Sequence, residues 1–219
     1  MATGLGQYGF GAKMLRYADA GKYFVWDNPT PGTGVSGIAD STAIAQTKSM
    51  LLLKNNNTVG SGIRLYLDYL RLSCTGAGVG HTTHAMVFDV ETSQSVDRYT
   101  SGGTSDTPVN VNGDSSTASA VVARSGPLVT VAATSNRRIA NIVMRQAVIG
   151  VVGDTFVFNF GAPGYGISGG VTEGTTQMNR SFAVPPIIIG PQQYFRAQVW
   201  GGSMSTSPAY EFSLGYVEV

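Results

Sequence analysis

Between Ile63 and Leu72 the chain reads IRLYLDYLRL, so that Ile63, Leu65, Leu67 and Tyr69 fall on one face of an extended strand and Arg64, Tyr66 and Asp68 on the other. A repeat of two marks a strand with one buried face. The apolar phase then moves to Leu70 and Leu72, which predicts a β-bulge or a strand buried on both sides. The same alternation returns towards the C-terminus. Phe195, Ala197 and Val199 alternate with Tyr194, Arg196, Gln198 and Trp200. After a Gly/Ser/Met/Pro loop, Tyr210, Phe212, Leu214 and Tyr216 alternate with Glu211, Ser213, Gly215 and Val217. Two antiparallel strands joined by a loop are expected there.

Further short strands are predicted over 22–26 (KYFVW), 51–54, 85–90, 118–122, 128–132, 139–149, 155–160 and 187–189, set apart by Gly, Pro, Asn and Asp tracts. Helical spacing is scarce. The stretch 36–50 is the one place expected to hold a helical turn, with Asp40 or Ser41 as its N-cap. This pattern predicts an all-β protein, an antiparallel β-sandwich or jelly roll. No linker and no internal repeat interrupts it, so residues 23–219 read as one domain. Residues 1–22 differ: Gly4, Gly6, Gly9, Gly11 and Gly21 are interleaved with Tyr8, Phe10 and Tyr17. Glycine costs backbone entropy on ordering, so this segment is expected as an extended N-terminal arm that lies against something else.

Composition sharpens the picture. Hydrophobic residues make up 42% of the chain and charged residues 12%, against about 25% charged in an average soluble domain. A lightly charged exterior associates readily, which points to self-assembly. The formal net charge is +1 and no Lys/Arg block occurs, so the electrostatic footprint of a nucleic-acid partner is missing. Arg137-Arg138 is the one basic pair of note and reads as a solvated strand end or an intersubunit salt-bridge donor. Cys74 is the single cysteine, which rules out an internal disulfide and a cysteine-rich zinc cluster. The opening MATGLGQYGFGAKMLRY lacks the apolar core of a secretion signal, and no apolar run reaches bilayer length. Secretion and membrane residence are not expected, and the sequons at Asn56 and Asn179 carry no meaning on that reading.

Candidate chemistry fails on context. Gly4–Gly9, Gly32–Gly37 and Gly164–Gly169 each match G-x-G-x-x-G, as chance allows when 29 residues are glycine. Phosphate binding needs a strand before that turn, a helix after it and an acidic residue about 20 positions on. None of the three has this setting. Gly166-Ile167-Ser168-Gly169-Gly170 matches the nucleophile-elbow pattern, but that arrangement needs a histidine downstream of the serine. The two histidines, His81 and His84, both precede Ser168. They read as loop residues; in a trimer, one from each subunit could instead meet on the axis around an ion. Asp89 with Glu91, and Asp97 with Asp106, are carboxylate pairs with nothing to place them in a cleft. Asn110-Val111-Asn112-Gly113-Asp114 is half a calcium loop without its downstream glutamate. No catalytic residue, cofactor site or metal site is therefore expected.

LDYLRL at 67–72, DRYTSGGTSDTPVNVN at 97–112, VVGDTFVFNFG at 151–161 and the segment 185–219 together resemble tailed-bacteriophage virion proteins with jelly-roll folds, head decoration (cement) proteins most of all. The resemblance spans about Thr30 to the end and rests on fold signatures, with no active-site motif. It implies a virion component assembled in the host cytoplasm, a homo-oligomer of trimeric type that binds the major capsid protein and stabilises the head shell. Tyr8, Phe10 and Tyr17 are then the expected assembly contacts. The alternative is a tail or baseplate module that binds a receptor or carbohydrate through aromatics such as Trp26, Tyr66 or Trp200.

Overall fold

The computed structural model describes residues 9–40, 45–79, 84–91, 99–132, 136–144, 152–161, 168–171, 178–202 and 205–219. One helix, α1 (Gly9–Asp19), precedes the strands β1 (Tyr23–Asp27), β2 (Val35–Ser36), β3 (Ile38–Asp40), β4 (Lys48–Asn55), β5 (Leu65–Gly76) and β6 (His84–Glu91). The middle of the sequence supplies β7 (Tyr99–Ser101), β8 (Thr104–Asp106), β9 (Val109–Asn110), β10 (Val121–Val131), β11 (Asn136–Met144) and β12 (Thr155–Phe160). The remainder gives β13 (Ser168–Val171), β14 (Met178–Val184), β15 (Ile188–Ile189), β16 (Tyr194–Gly202) and β17 (Ala209–Glu218).

These strands form two mainly antiparallel sheets, an all-β sandwich. Sheet A runs β13-β14-β12-β5-β17-β1-β9 and sheet B runs β11-β6-β16-β4-β10-β7. The long strands interleave: β1, β5, β12 and β17 belong to A, while β4, β6, β11 and β16 belong to B. Between the sheets lies a core rich in aromatic rings. Phe88 sits near its centre, edge-on to Phe158 at 4.9 Å and Phe160 at 5.7 Å and stacked on Phe195 at 6.0 Å. Offset and edge-to-face rings add to the burial of area, so this cluster ties the two sheets together.

The slip of phase in β5 is a bulge. Leu67 lies opposite Tyr216 and Tyr69 opposite Gly215, which leaves Asp68 as the extra residue. Leu65 and Leu67 before it and Leu70 and Leu72 after it then all reach the core. Gly215 is required by this packing. A Cβ there would lie 2.4 Å from Tyr69 Cε1 and 2.5 Å from the Tyr23 hydroxyl, which donates to Asp68 at 2.7 Å.

Three expectations are corrected. The two C-terminal strands do not pair: β16 lies between β4 and β6 in sheet B, and β17 between β5 and β1 in sheet A. Alternation is identical for neighbours in one sheet and for strands that face each other across a core, so it could not separate the two cases. Over 36–40 and 45–50 the expected helical turn gives way to β3, which pairs parallel with β16, and to the start of β4 at Lys48; residues 41–44, with the expected N-cap Ser41, lie outside the described residues. The segment read as an extended arm is helical over Gly9–Asp19. Its glycines occupy only the first turn, and Met14 and Tyr17, three residues apart, share a face. Gly21, at φ 66°, ends the helix in a Schellman arrangement, with Lys22 N–H donating to the Tyr17 carbonyl at 2.8 Å and Gly21 N–H to Ala18 at 2.9 Å.

The strands expected at 118–122 and 128–132 are one strand, β10, with its register broken between Ser125 and Val129. The break falls at Gly126-Pro127, where proline cannot donate to the ladder. Along this side of the sandwich the segment from Tyr99 to Asn110 acts as a strap: β7 and β8 pair with β10 of sheet B, and β9 pairs with β1 of sheet A. Asp106 ties the layers, its Oδ2 accepting from Trp26 Nε1 at 3.0 Å and from Ser125 Oγ at 2.6 Å.

Candidate assembly surface

Two features stand out beyond the core: a buried charge ladder on the outer face of sheet B and an apolar groove beside α1. The ladder follows from register. Arg138 of β11 lies opposite Asp89 of β6, and Asp89 opposite Arg196 of β16. The Asp89 carboxylate receives Arg138 Nε at 3.2 Å and Arg196 Nη2 at 3.3 Å. The Arg196 side chain is only 1% exposed and that of Arg138 is 40% exposed, so the two contacts differ in weight. Arg196 Nη1 also donates to the Gln46 carbonyl at 2.8 Å. Burial pulls the Arg196 guanidinium below its ordinary pKa, while Asp89 and Glu91 hold it up. Glu91 is itself buried on the same face. The carboxylate pair flagged in the sequence is therefore committed to holding a buried guanidinium.

The groove, of ≈ 250 Å³, lies between the helix and the lower end of sheet A. Met14 and Tyr17 of α1 form one wall, Tyr66 of β5 and Ile188 of β15 another, and Phe160 and Val217 are among the residues that close it. It opens where β5 begins at Leu65 and β12 ends at Phe160, with Tyr66 and Val217 paired opposite each other across β5 and β17. Exposure is high at the rim, with Ile188 at 46% and Tyr66 at 36%, and the adjoining helix residue Leu15 stands 71% exposed. Exposed apolar depressions are where proteins commonly meet partners or ligands. No Asp, Glu, His, Lys, Arg, Ser or Cys side chain is among its lining residues, so what it offers a neighbour is chiefly shape and apolar surface.

No family model, curated protein or solved structure matches this sequence.

Of the three expected contacts, Tyr17 is half-buried and lines the groove. Phe10 lies in α1, and Tyr8 lies outside the described residues. His81 and Asp97 are also outside them, while His84 and Ser168 fall in β6 and β13. Trp26 is fully buried in the core and cannot serve as an exposed sugar platform. Tyr66 is accessible, and Trp200 is half-buried. The Gly32–Gly37 match runs into β2 and β3, with no helix to point N–H groups at a phosphate. Among the described residues no three His, Cys, Asp or Glu side chains gather as a metal-ligand set. Likewise, among the described residues no helix is long and apolar enough to cross a membrane. Sequence reading missed Met14, Leu15 and Ile188 as surface contacts. The i, i+3 spacing of Met14 and Tyr17 was the available signal, masked by the glycines before it.

Proposed function

We propose that this protein is a virion structural component of a tailed bacteriophage, a capsid decoration protein of jelly-roll type that binds the major capsid protein as a homo-oligomer, a trimer on this reading. The observation that carries the proposal is the apolar groove between α1 and sheet A, an accessible surface suited to burial against a neighbouring subunit. The strand order supports it. The stretches β12-β5-β17-β1 and β11-β6-β16-β4 within the two sheets are compatible with a jelly roll of two Greek keys. The low charge of the sequence supports it too. Repeated copies on a symmetric shell multiply modest contacts through effective concentration, so each groove need contribute little alone.

The test is co-sedimentation of the purified protein with empty capsids of its phage. Saturable binding that is lost in Leu15→Glu and Ile188→Glu, with thermal stability retained, is the expected result. Both positions are exposed in the isolated protomer, so neither substitution disturbs the core. Absence of binding by the parent protein, together with capture of a glycan that depends on Tyr66, would overturn the proposal in favour of a tail or baseplate binding module.

A further inference from the structure

The loop 110–117 grips the end of α1 through two asparagine amides. Asn112 Nδ2 donates to the carbonyl of Asp19, the last helical residue, at 2.9 Å. Asn110 Nδ2 donates to the Gly21 carbonyl at 2.9 Å and to that of Thr117 at 3.1 Å. Ser115 packs so closely on the helix stop that a Cβ on Gly21 would lie 2.3 Å from its Oγ. The Asn112 Oδ1 meanwhile accepts from Asp114 N–H at 3.0 Å.

Asn112 is followed by Gly113, and this is the one Asn-Gly pair in the sequence. Gly113 is exposed, and a Cβ built on it would meet nothing within 4 Å. Residues 111–120 belong to no helix or strand; their backbone hydrogen bonds, from Val111 N–H to the Tyr23 carbonyl at 3.2 Å and from Ser115 N–H to the Asn112 carbonyl at 3.1 Å, lie on either side of the Gly113 nitrogen. A glycine nitrogen carries no Cβ to hinder its approach to the preceding side chain.

We infer that Asn112-Gly113 is a site of spontaneous deamidation, and that the reaction unfastens the C-terminal end of α1. The Gly113 backbone nitrogen attacks Asn112 Cγ, forming the ring C–N bond of a succinimide. The Cγ–Nδ2 bond of Asn112 breaks, and ammonia leaves with the proton lost by the Gly113 amide. Water then adds to one of the two ring carbonyls and opens the ring, giving aspartate or isoaspartate; no electron transfer is involved. The product carboxylate has no N–H to donate to the Asp19 carbonyl. It also places a negative charge at the negative end of the helix dipole, beside Asp19. In the isoaspartate product the backbone is one carbon longer, which moves Ser115 off Gly21. Asn110 is a built-in control: its amide is held by several acceptors, and the β-branched Val111 follows it.

The experiment ages the intact protein at mildly alkaline pH and follows both the site and its consequence. Peptide mass mapping with an isoaspartate-specific methyltransferase is expected to find conversion at Asn112 ahead of every other asparagine, and none at that site in Gly113→Ala. Hydrogen exchange over 17–22 is expected to quicken roughly fivefold in aged protein and in Asn112→Asp, the effect of one hydrogen bond lost. Conversion at Asn112 no faster than at Asn110 overturns the site. Exchange over 17–22 that is unchanged in both aged protein and Asn112→Asp overturns the clasp.

Discussion

Replacing Asp89 by alanine strips the carboxylate from between two arginines while leaving Arg196 where solvent cannot reach it. A guanidinium stranded in this way retains the Gln46 carbonyl at 2.8 Å and the more distant influence of Glu91. Removing one partner of a buried ion pair costs ~3–5 kcal/mol, and the help from Glu91 puts the expected loss at the lower end, ~3 kcal/mol. For a protein of this size each kcal/mol moves Tm by about 2–4 °C, so a fall of about 6–12 °C is expected. Arg138→Ala, at the exposed end of the same ladder, is expected to cost less than about 1 kcal/mol. The decisive variant is Asp89→Ala/Arg196→Met, which removes the buried Asp89–Arg196 pair, leaves Glu91 in place and keeps an apolar side group at 196. It is expected to recover most of the loss, because the penalty arises from an uncompensated charge and not from the vacated space. Denaturant unfolding of the parent, Asp89→Ala, Arg196→Met and the double variant gives the cycle. An Asp89→Ala protein within about 1 kcal/mol of the parent, or a double variant no more stable than the single one, refutes this account of the ladder.

Phe88→Ala should cost about 3–5 kcal/mol, since Phe88 meets three other rings in the core and neither sheet can collapse into the space; a loss below about 2 kcal/mol in the same unfolding assay would show that the core repacks. Cys74 is buried, and desolvation raises its thiol from 9.0 to about 11. It should therefore react with a thiol reagent at neutral pH only at the rate of unfolding, and a fast native-state reaction would contradict its burial. The same shift fixes a sign: the unfolded thiol ionises first as pH rises, so this contribution to stability is full below pH 9.0 and is lost between 9.0 and about 11. Melts across that range should show Tm falling less steeply in Cys74→Ala than in the parent, and parallel curves would refute the assignment.

Alternation is a local property, written residue by residue, and it placed most of the long strands. The period of two located β5, β12, β16 and β17, and even the bulge at Asp68 was legible as a slip of phase between Tyr69 and Leu70. What alternation cannot carry is the identity of a strand's neighbour. Whether β17 lies beside β16 or across the core from it depends on contacts between residues far apart in sequence, and loop closure over such distances adds little free energy to separate the options. The outer face of sheet B shows the same limit. Tyr194, Arg196 and Gln198 alternate with the core positions of β16, yet all three are buried: Tyr194 packs with Leu52, Val129 and Val131, and the segment from Ala45 to Lys48 supplies carbonyl acceptors to Arg196 and Gln198.

The groove and the Asn112 clasp divide in the same way. Tyr17 stands out in the sequence by its glycine-spaced aromatic setting, and Asn112-Gly113 is visible there only within the half calcium loop of 110–114. The helix that carries Tyr17 gains its order from packing on sheet A and from the amides of a loop about ninety residues away, as expected where tertiary contacts outweigh the glycine penalty of the first turn. Sequence alone determined that this protein builds strands around an apolar core, because side-chain periodicity and burial are coupled directly. Only the tertiary structure decided which strands face one another, which charges are sealed in and where an apolar surface stays open, because those follow from distant segments meeting in space.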